Sequence, residues 1–92
     1  MVFEVVFNDA SKKDWEKLDH SVQVRISKSI DKLTTHPVEF GKALTGKLAG
    51  LFRLRVGDFR IVYKVIYSKK TVEVMVVCHR SEVYKLAERR IN

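Results

Sequence analysis

A chain of 92 residues with 46% hydrophobic content suits one domain, spanning residues 1–92, around one modest core, and a second independent domain is not expected. The formal net charge of +7 lies wholly in the second half: residues 1–46 hold seven Lys/Arg against seven Asp/Glu, and residues 47–92 hold eleven against four. The longest apolar run is only Val74 to Cys78, the N-terminal MVFEVVF carries Glu4 without a basic flank, and Cys78 is the sole cysteine; these features argue against a membrane span, a signal peptide, an internal disulfide or a zinc site, and make a reducing cytoplasm the expected compartment.

Val2 to Asn8 alternates β-rich residues and reads as a first strand. Asp9 and Ser11 are candidate N-caps for a short helix through about Leu18, with Ser11 and Asp14 at capping-box spacing and Trp15 and Leu18 on its buried face. From Ser21, the residues Val22, Ile26, Ile30 and Leu33 form a helical stripe that should end near Thr35, because His36-Pro37 disfavours continuation. The two helices are expected to form a hairpin lying across a sheet. Residues 37–50, with Gly41, Gly46 and Gly50, read as a largely irregular connection.

Three strands follow, at about Leu51–Val56, Phe59–Tyr67 and Thr71–Cys78. A two-residue turn at Gly57-Asp58 pairs Val56 with Phe59 and Leu54 with Ile61, and sets Arg55 directly opposite Arg60. Phe52, Leu54, Val56, Phe59, Ile61, Tyr63 and Val65 then share the helix-covered face, while Arg53, Arg55, Arg60 and Lys64, with Val62 and Ile66, share the other. Like charges facing each other across a sheet destabilise it, so folding alone gives no reason for this pairing. Arginine, with its planar fork of donors, points to phosphate or carboxylate recognition; the bland alternative is a charged edge that discourages aggregation.

Ser81 to Ile91 carries Val83, Leu86, Ala87 and Arg90 at helical spacing and reads as a C-terminal helix, with Ser81 and Glu82 as helix-start residues. In His79-Arg80-Ser81-Glu82-Val83-Tyr84, at the junction of the last strand and this helix, His79 is an acid/base candidate, Arg80 a cation and Tyr84 a ring that could stack on a base. Neither a Gly-rich phosphate loop, a paired-carboxylate site nor a carboxylate metal site is evident. No cofactor is implied.

The order strand, two helices, three-stranded meander and C-terminal helix is an α+β arrangement. Carrying LTGKLAGLFRLRVGDFRIVYKV and VCHRSEVYKLAERR, it resembles the RelE/ParE superfamily of toxins from type II toxin-antitoxin modules, and more closely the RelE branch. The resemblance implies an mRNA interferase: a metal-independent endoribonuclease that works on ribosome-bound mRNA beside the 16S rRNA of the A site. It further implies a cytoplasmic protein, neutralised in a hetero-oligomer with a cognate RelB-like antitoxin. By position, Arg60 matches the family's strand arginine at the scissile phosphate, Tyr84 the active-site tyrosine, and Arg80 the basic segment before it. Histidine also occurs at this point in related interferases, which implies an acid/base function for His79. Arg53 and Arg55 fall where RelE proteins often carry lysines; as arginines they hold charge but cannot serve as a general base, and with Lys64 they form the phosphate-binding set. The competing readings are a ParE-like inhibitor of DNA gyrase and an inactive binding or co-repressor member.

Overall fold

Short alternating segments need neighbours on both edges, and helices with one apolar stripe need a sheet to cover. The computed structural model, which describes residues 2–91, satisfies both needs with β1 (Glu4–Phe7), α1 (Asp9–Glu16), α2 (His20–Asp31), β2 (Lys42–Ala43), β3 (Phe52–Val56), β4 (Phe59–Ile66), β5 (Thr71–His79) and α3 (Val83–Arg90). The strands form one sheet in the order β1-β5-β4-β3-β2, with β1 parallel to β5 and the other pairs antiparallel. The α+β class and the meander agree with the sequence reading. The expected irregular connection contains one more strand, the two-residue β2 paired to β3, and a 3₁₀ turn at Gly46–Leu48. Two residues carry too little alternation to be read as a strand.

The sheet has a core on each face. On one, α2 and the 3₁₀ turn that follows it (Lys32–Thr34) set Ile26, Ile30 and Leu33 against Leu54, Val56, Ile61, Tyr63, Val72, Val74 and Val77. The sequence of α2, HSVQVRISKSID, is a modest helix former on its own. Each fully buried aliphatic side chain contributes about 1.5–3 kcal/mol, so tertiary packing stabilises this helix far more than propensity does. On the other face, Val83 and Ala87 of α3 pack with Leu48, Leu51, Val62 and Val76.

The start of α1 differs from the expectation. Asn8 is the N-cap, its side chain accepting from the Ser11 N–H at 2.9 Å. Ser11 is wholly buried, and its hydroxyl donates to Val74 O at 2.8 Å. Asp14 makes no capping box; its carboxylate accepts from the Val77 N–H at 3.0 Å. Since β1 reaches only as far as Val74 in its pairing, α1 supplies side-chain partners to the edge of β5 that β1 leaves open.

Where β4 meets β5, Val62 pairs with Val76 but Tyr63 with Val74, so Met75 is an extra residue on β5. Such a bulge reverses the facing of every residue beyond it. Val74 and Val77 therefore both enter the α2-covered core, while Val76 lies under α3.

Tyr63 anchors the connection before β2. Its ring stacks on Phe52 at 5.7 Å and its hydroxyl donates to Pro37 O at 2.8 Å, in full burial. Gly41 approaches so closely that a Cβ there would clash with the Tyr63 hydroxyl. Burial, with smaller contributions from Glu39 and Tyr67, pushes the Tyr63 phenol up to about 12 from its ordinary 10.0. A phenol that ionises less readily folded than unfolded contributes its full stability below pH 10 and loses it as pH rises towards 12. Chemical denaturation across pH 9–12 should therefore show a steeper alkaline fall for the wild type than for Tyr63→Phe, which removes the titrating group; identical slopes would contradict the assignment.

Candidate active site

The hairpin joining β3 to β4 is built as its sequence requires. Gly57 has φ +58° and Asp58 does not enter the left-handed region, the pattern of a type II′ turn, whose twist matches the flanking strands. Arg55 faces Arg60 across this hairpin and Arg53 faces Val62. The three arginines nevertheless differ. Arg55 is exposed and Arg53 half-buried, whereas Arg60 is only 8% exposed. Its Nη1 donates to Gly57 O at 2.8 Å and to Phe59 O at 2.9 Å, folding the side chain back under the turn. No buried side-chain nitrogen or oxygen among the described residues lacks a partner, so Nε and Nη2 of Arg60, which bond to no protein group, reach solvent. The result is a guanidinium held in one position with a free edge. Such a group loses little side-chain entropy when it binds an anion.

Arg80 is brought to the same hairpin tip by its main chain, whose N–H donates to Asp58 O at 2.8 Å. Its side chain is exposed. Tyr84 lies in the first turn of α3, half-buried against the core that contains Val62 and Val76, and its hydroxyl has no hydrogen-bond partner among the described residues. The ion pairs Lys64–Glu73 and Asp14–Arg90 involve none of the four arginines 53, 55, 60 and 80. The arginine face therefore carries uncompensated positive charge.

The pose of α3, and of Tyr84 with it, depends on a clamp that no sequence motif announced. Arg90 donates from Nη1 to Asp14 Oδ2 at 2.7 Å and from Nη2 to Oδ1 at 2.9 Å, and Nη1 also bonds Met75 O at 2.9 Å. One arginine thus joins α3 to α1 and to the bulge of β5. The available signal was Arg90 itself, a cation at the fourth position of an otherwise apolar stripe, where it needs a carboxylate.

Two expected site residues stand outside this set, one by its face and one by its pairing. The bulge turns His79 to the Phe59 face, its cross-strand partner, with ring centroids 6.0 Å apart, away from the face that carries Arg60. There His79 lines a shallow cleft of about 210 Å³ with Lys17, Leu18 and Leu86. Its Nδ1 accepts from the Ser81 N–H at 3.2 Å and lies 2.9 Å from Ser81 Oγ, so Ser81 fixes the imidazole and does not cap α3. His79 and Arg60 therefore lie on opposite faces of the sheet. Lys64 is the second case: it pairs with Glu73 across the strands, 3.7 Å away, and is partly neutralised.

This hairpin and helix arrangement has known relatives. The model of the ParE toxin of type II toxin-antitoxin systems matches residues 5–84. The chain belongs to the RelE/ParE family of toxins. It is 33% identical over 98 aligned positions to a RelE-like toxin protein of Escherichia coli, and 32% identical to the mRNA interferase toxin RelE of Escherichia coli K12, each match covering 99% of both proteins. The toxin-antitoxin complex RelBE2 of Mycobacterium tuberculosis contains a chain that superposes with a TM-score of 0.81 at 28% identity, over 88% of this chain and 94% of that one.

In this RelE-like toxin, Cys78 stands across the sheet from Arg60 and carries no reactive environment. Burial, then the Asp14 and Glu82 carboxylates, push its thiol up to about 11, against the lowering effect of Arg90. At pH 8 its thiolate fraction is about 100-fold below that of an ordinary thiol. Alkylation by iodoacetamide should be correspondingly slow in the folded toxin and return to the ordinary rate in denaturant; fast labelling of the native protein would contradict this. Among the described residues no three of His, Cys, Asp and Glu come together as a metal-binding group.

Proposed function

We propose that this toxin is an endoribonuclease that cleaves mRNA on the ribosome by attack of a ribose 2′-hydroxyl on the adjacent phosphate. The observation that carries the reading is Arg60, immobilised by two carbonyls with its remaining N–H edge open, opposite Arg55, with no carboxylate paired to either. A gyrase-binding surface has no need of a guanidinium pre-set for a tetrahedral anion. The 32% identity to an mRNA interferase toxin supports the same activity class.

In this reaction the 2′-oxygen forms a bond to phosphorus as its proton leaves, and the bond from phosphorus to the 5′-oxygen breaks as that oxygen gains a proton. The products are a 2′,3′-cyclic phosphate and a 5′-hydroxyl end. Arg60 and Arg55 stabilise the additional negative charge on the phosphoryl oxygens, Arg80 adds a cation from the tip, and Arg53 positions the backbone. None of them transfers protons at neutral pH. Tyr84, with its unengaged hydroxyl, is the side chain left to donate a proton or stack on a base, and groups of the ribosomal A site complete the proton transfers. The mycobacterial neighbour is a toxin-antitoxin complex, which supports a RelB-like antitoxin as the partner that covers this face in a cytoplasmic hetero-oligomer.

Primer extension on mRNA from cells induced for the toxin without antitoxin tests the proposal. Codon-registered cuts that need translation are expected, and purified toxin with programmed ribosomes should make the same cuts. The matching family model bears the ParE name, which makes gyrase inhibition the second reading. Loss of supercoiling without mRNA cuts would replace the first with the second.

A further inference from the structure

The hairpin tip carries a cation that neither the sequence pattern nor the arginine face accounts for. Arg25 belongs to α2, on the opposite side of the sheet from Arg60, and its residue is exposed. Its guanidinium reaches the turn: Nη2 lies 2.5 Å from where a Cβ on Gly57 would stand, with Cζ at 3.4 Å and Nη1 at 3.7 Å. Gly57 is therefore required twice, for its positive φ and for the room it leaves to Arg25. The same glycine's carbonyl receives Arg60 Nη1. One turn residue is thus contacted by guanidinium groups from both faces of the sheet. Arg25 forms no hydrogen bond or ion pair among the described residues, so its donors are free. The one carboxylate of the turn, Asp58, pairs with none of these cations; its main-chain oxygen instead fixes Arg80 beside them.

Two like charges about one glycine, neither compensated by a carboxylate, bring the fold no electrostatic gain. They suit an extended polyanion that crosses the tip from one face to the other. We propose that Arg25 forms a second phosphate-binding subsite, which holds a backbone phosphate of single-stranded RNA outside the phosphate held by Arg55, Arg60 and Arg80. This inference rests on the ribonuclease reading for its ligand class. It places a determinant of RNA binding on α2, outside the sheet face that carries the chemistry. The strand runs over the hairpin tip, and Arg25 adds affinity without stabilising the reacting phosphate.

The test separates binding from cleavage by using a 2′-O-methyl oligoribonucleotide, which lacks the attacking hydroxyl. Its dissociation constant is measured for wild type, Arg25→Gln and Arg25→Lys across a series of salt concentrations, with thermal melts to verify folding. Loss of one phosphate contact should reduce the slope of log affinity against log salt by about 0.7 and weaken binding several-fold at low salt. Arg25→Lys should keep the wild-type slope, a rescue that a merely packing role for Arg25 would not give. On ribosome-bound message, Arg25→Gln should raise KM with little change in kcat. A folded Arg25→Gln that keeps the wild-type slope and affinity overturns the subsite, as does a wild type that does not bind the oligonucleotide. Failure of the catalytic reading would appear elsewhere, as undiminished message cleavage by Arg60→Ala, with the salt slopes still deciding on Arg25.

Discussion

Replacing Arg60 with alanine is expected to lower cleavage of ribosome-bound message by about 10²–10³-fold, the usual loss when a pre-set donor to a developing oxyanion is removed. The effect should fall on kcat, because the group is held in place before substrate arrives and its gain is largest when the phosphoryl oxygens carry extra charge. Arg60→Lys is the informative companion. An ammonium keeps the charge but cannot bond Gly57 O and Phe59 O through one end while presenting a planar edge with the other. Its activity should therefore lie between the two, nearer to alanine. Burial of Arg60 makes a folding check necessary, and circular dichroism with an unchanged urea midpoint for the lysine variant supplies it. A folded Arg60→Ala that cleaves at the wild-type rate would remove this residue from the mechanism.

Breaking the Asp14–Arg90 clamp should have the largest effect on stability. The pair is bidentate, both side chains are mostly buried, and each also serves β5, Asp14 through Val77 N–H and Arg90 through Met75 O. Removing one partner leaves the other as an uncompensated charge, which costs about 3–5 kcal/mol in a buried pair. For a domain of this size that corresponds to a fall in melting temperature of at least roughly 12 °C. Asp14→Ala and Arg90→Ala should each show it, and the double variant should lose much less than the sum, a coupling measurable by a double-mutant cycle in urea. Additive losses would mean that the two residues act independently. Because α3 carries Tyr84, variants at Arg90 should also reduce cleavage more than any change at the exposed end of the helix.

Local chemistry was legible in the sequence wherever it was sufficient. The Gly57-Asp58 turn fixed the register, and with it the opposition of Arg55 and Arg60 and the sorting of Leu54, Ile61 and Tyr63 to the α2 side. The stripe Val22, Ile26, Ile30, Leu33 ran across α2 and its following 3₁₀ turn as its spacing implied. What escaped depended on contacts distant along the chain. Met75 gives no local sign of being a bulge, yet it reverses His79. Asp9 and Ser11 share the capping preference of Asn8, so the sequence does not single it out, and only the buried oxygen of Val74 explains why Ser11 turns inward. Arg25 sits between polar neighbours on α2, and nothing in that stretch of sequence indicates that the helix brings it to a glycine in another element.

The parallel pairing of β1 with β5 has a kinetic consequence. The β3–β4 hairpin joins near neighbours and can form early, whereas Glu4 meets Thr71 only after nearly the whole chain is available to close the loop. The helix α3, which carries Tyr84, follows β5 and docks on it last in chain order. During synthesis the arginine pair can therefore be set long before the platform that completes the site. A chain still emerging from the ribosome that made it presents the charge without the assembled constellation.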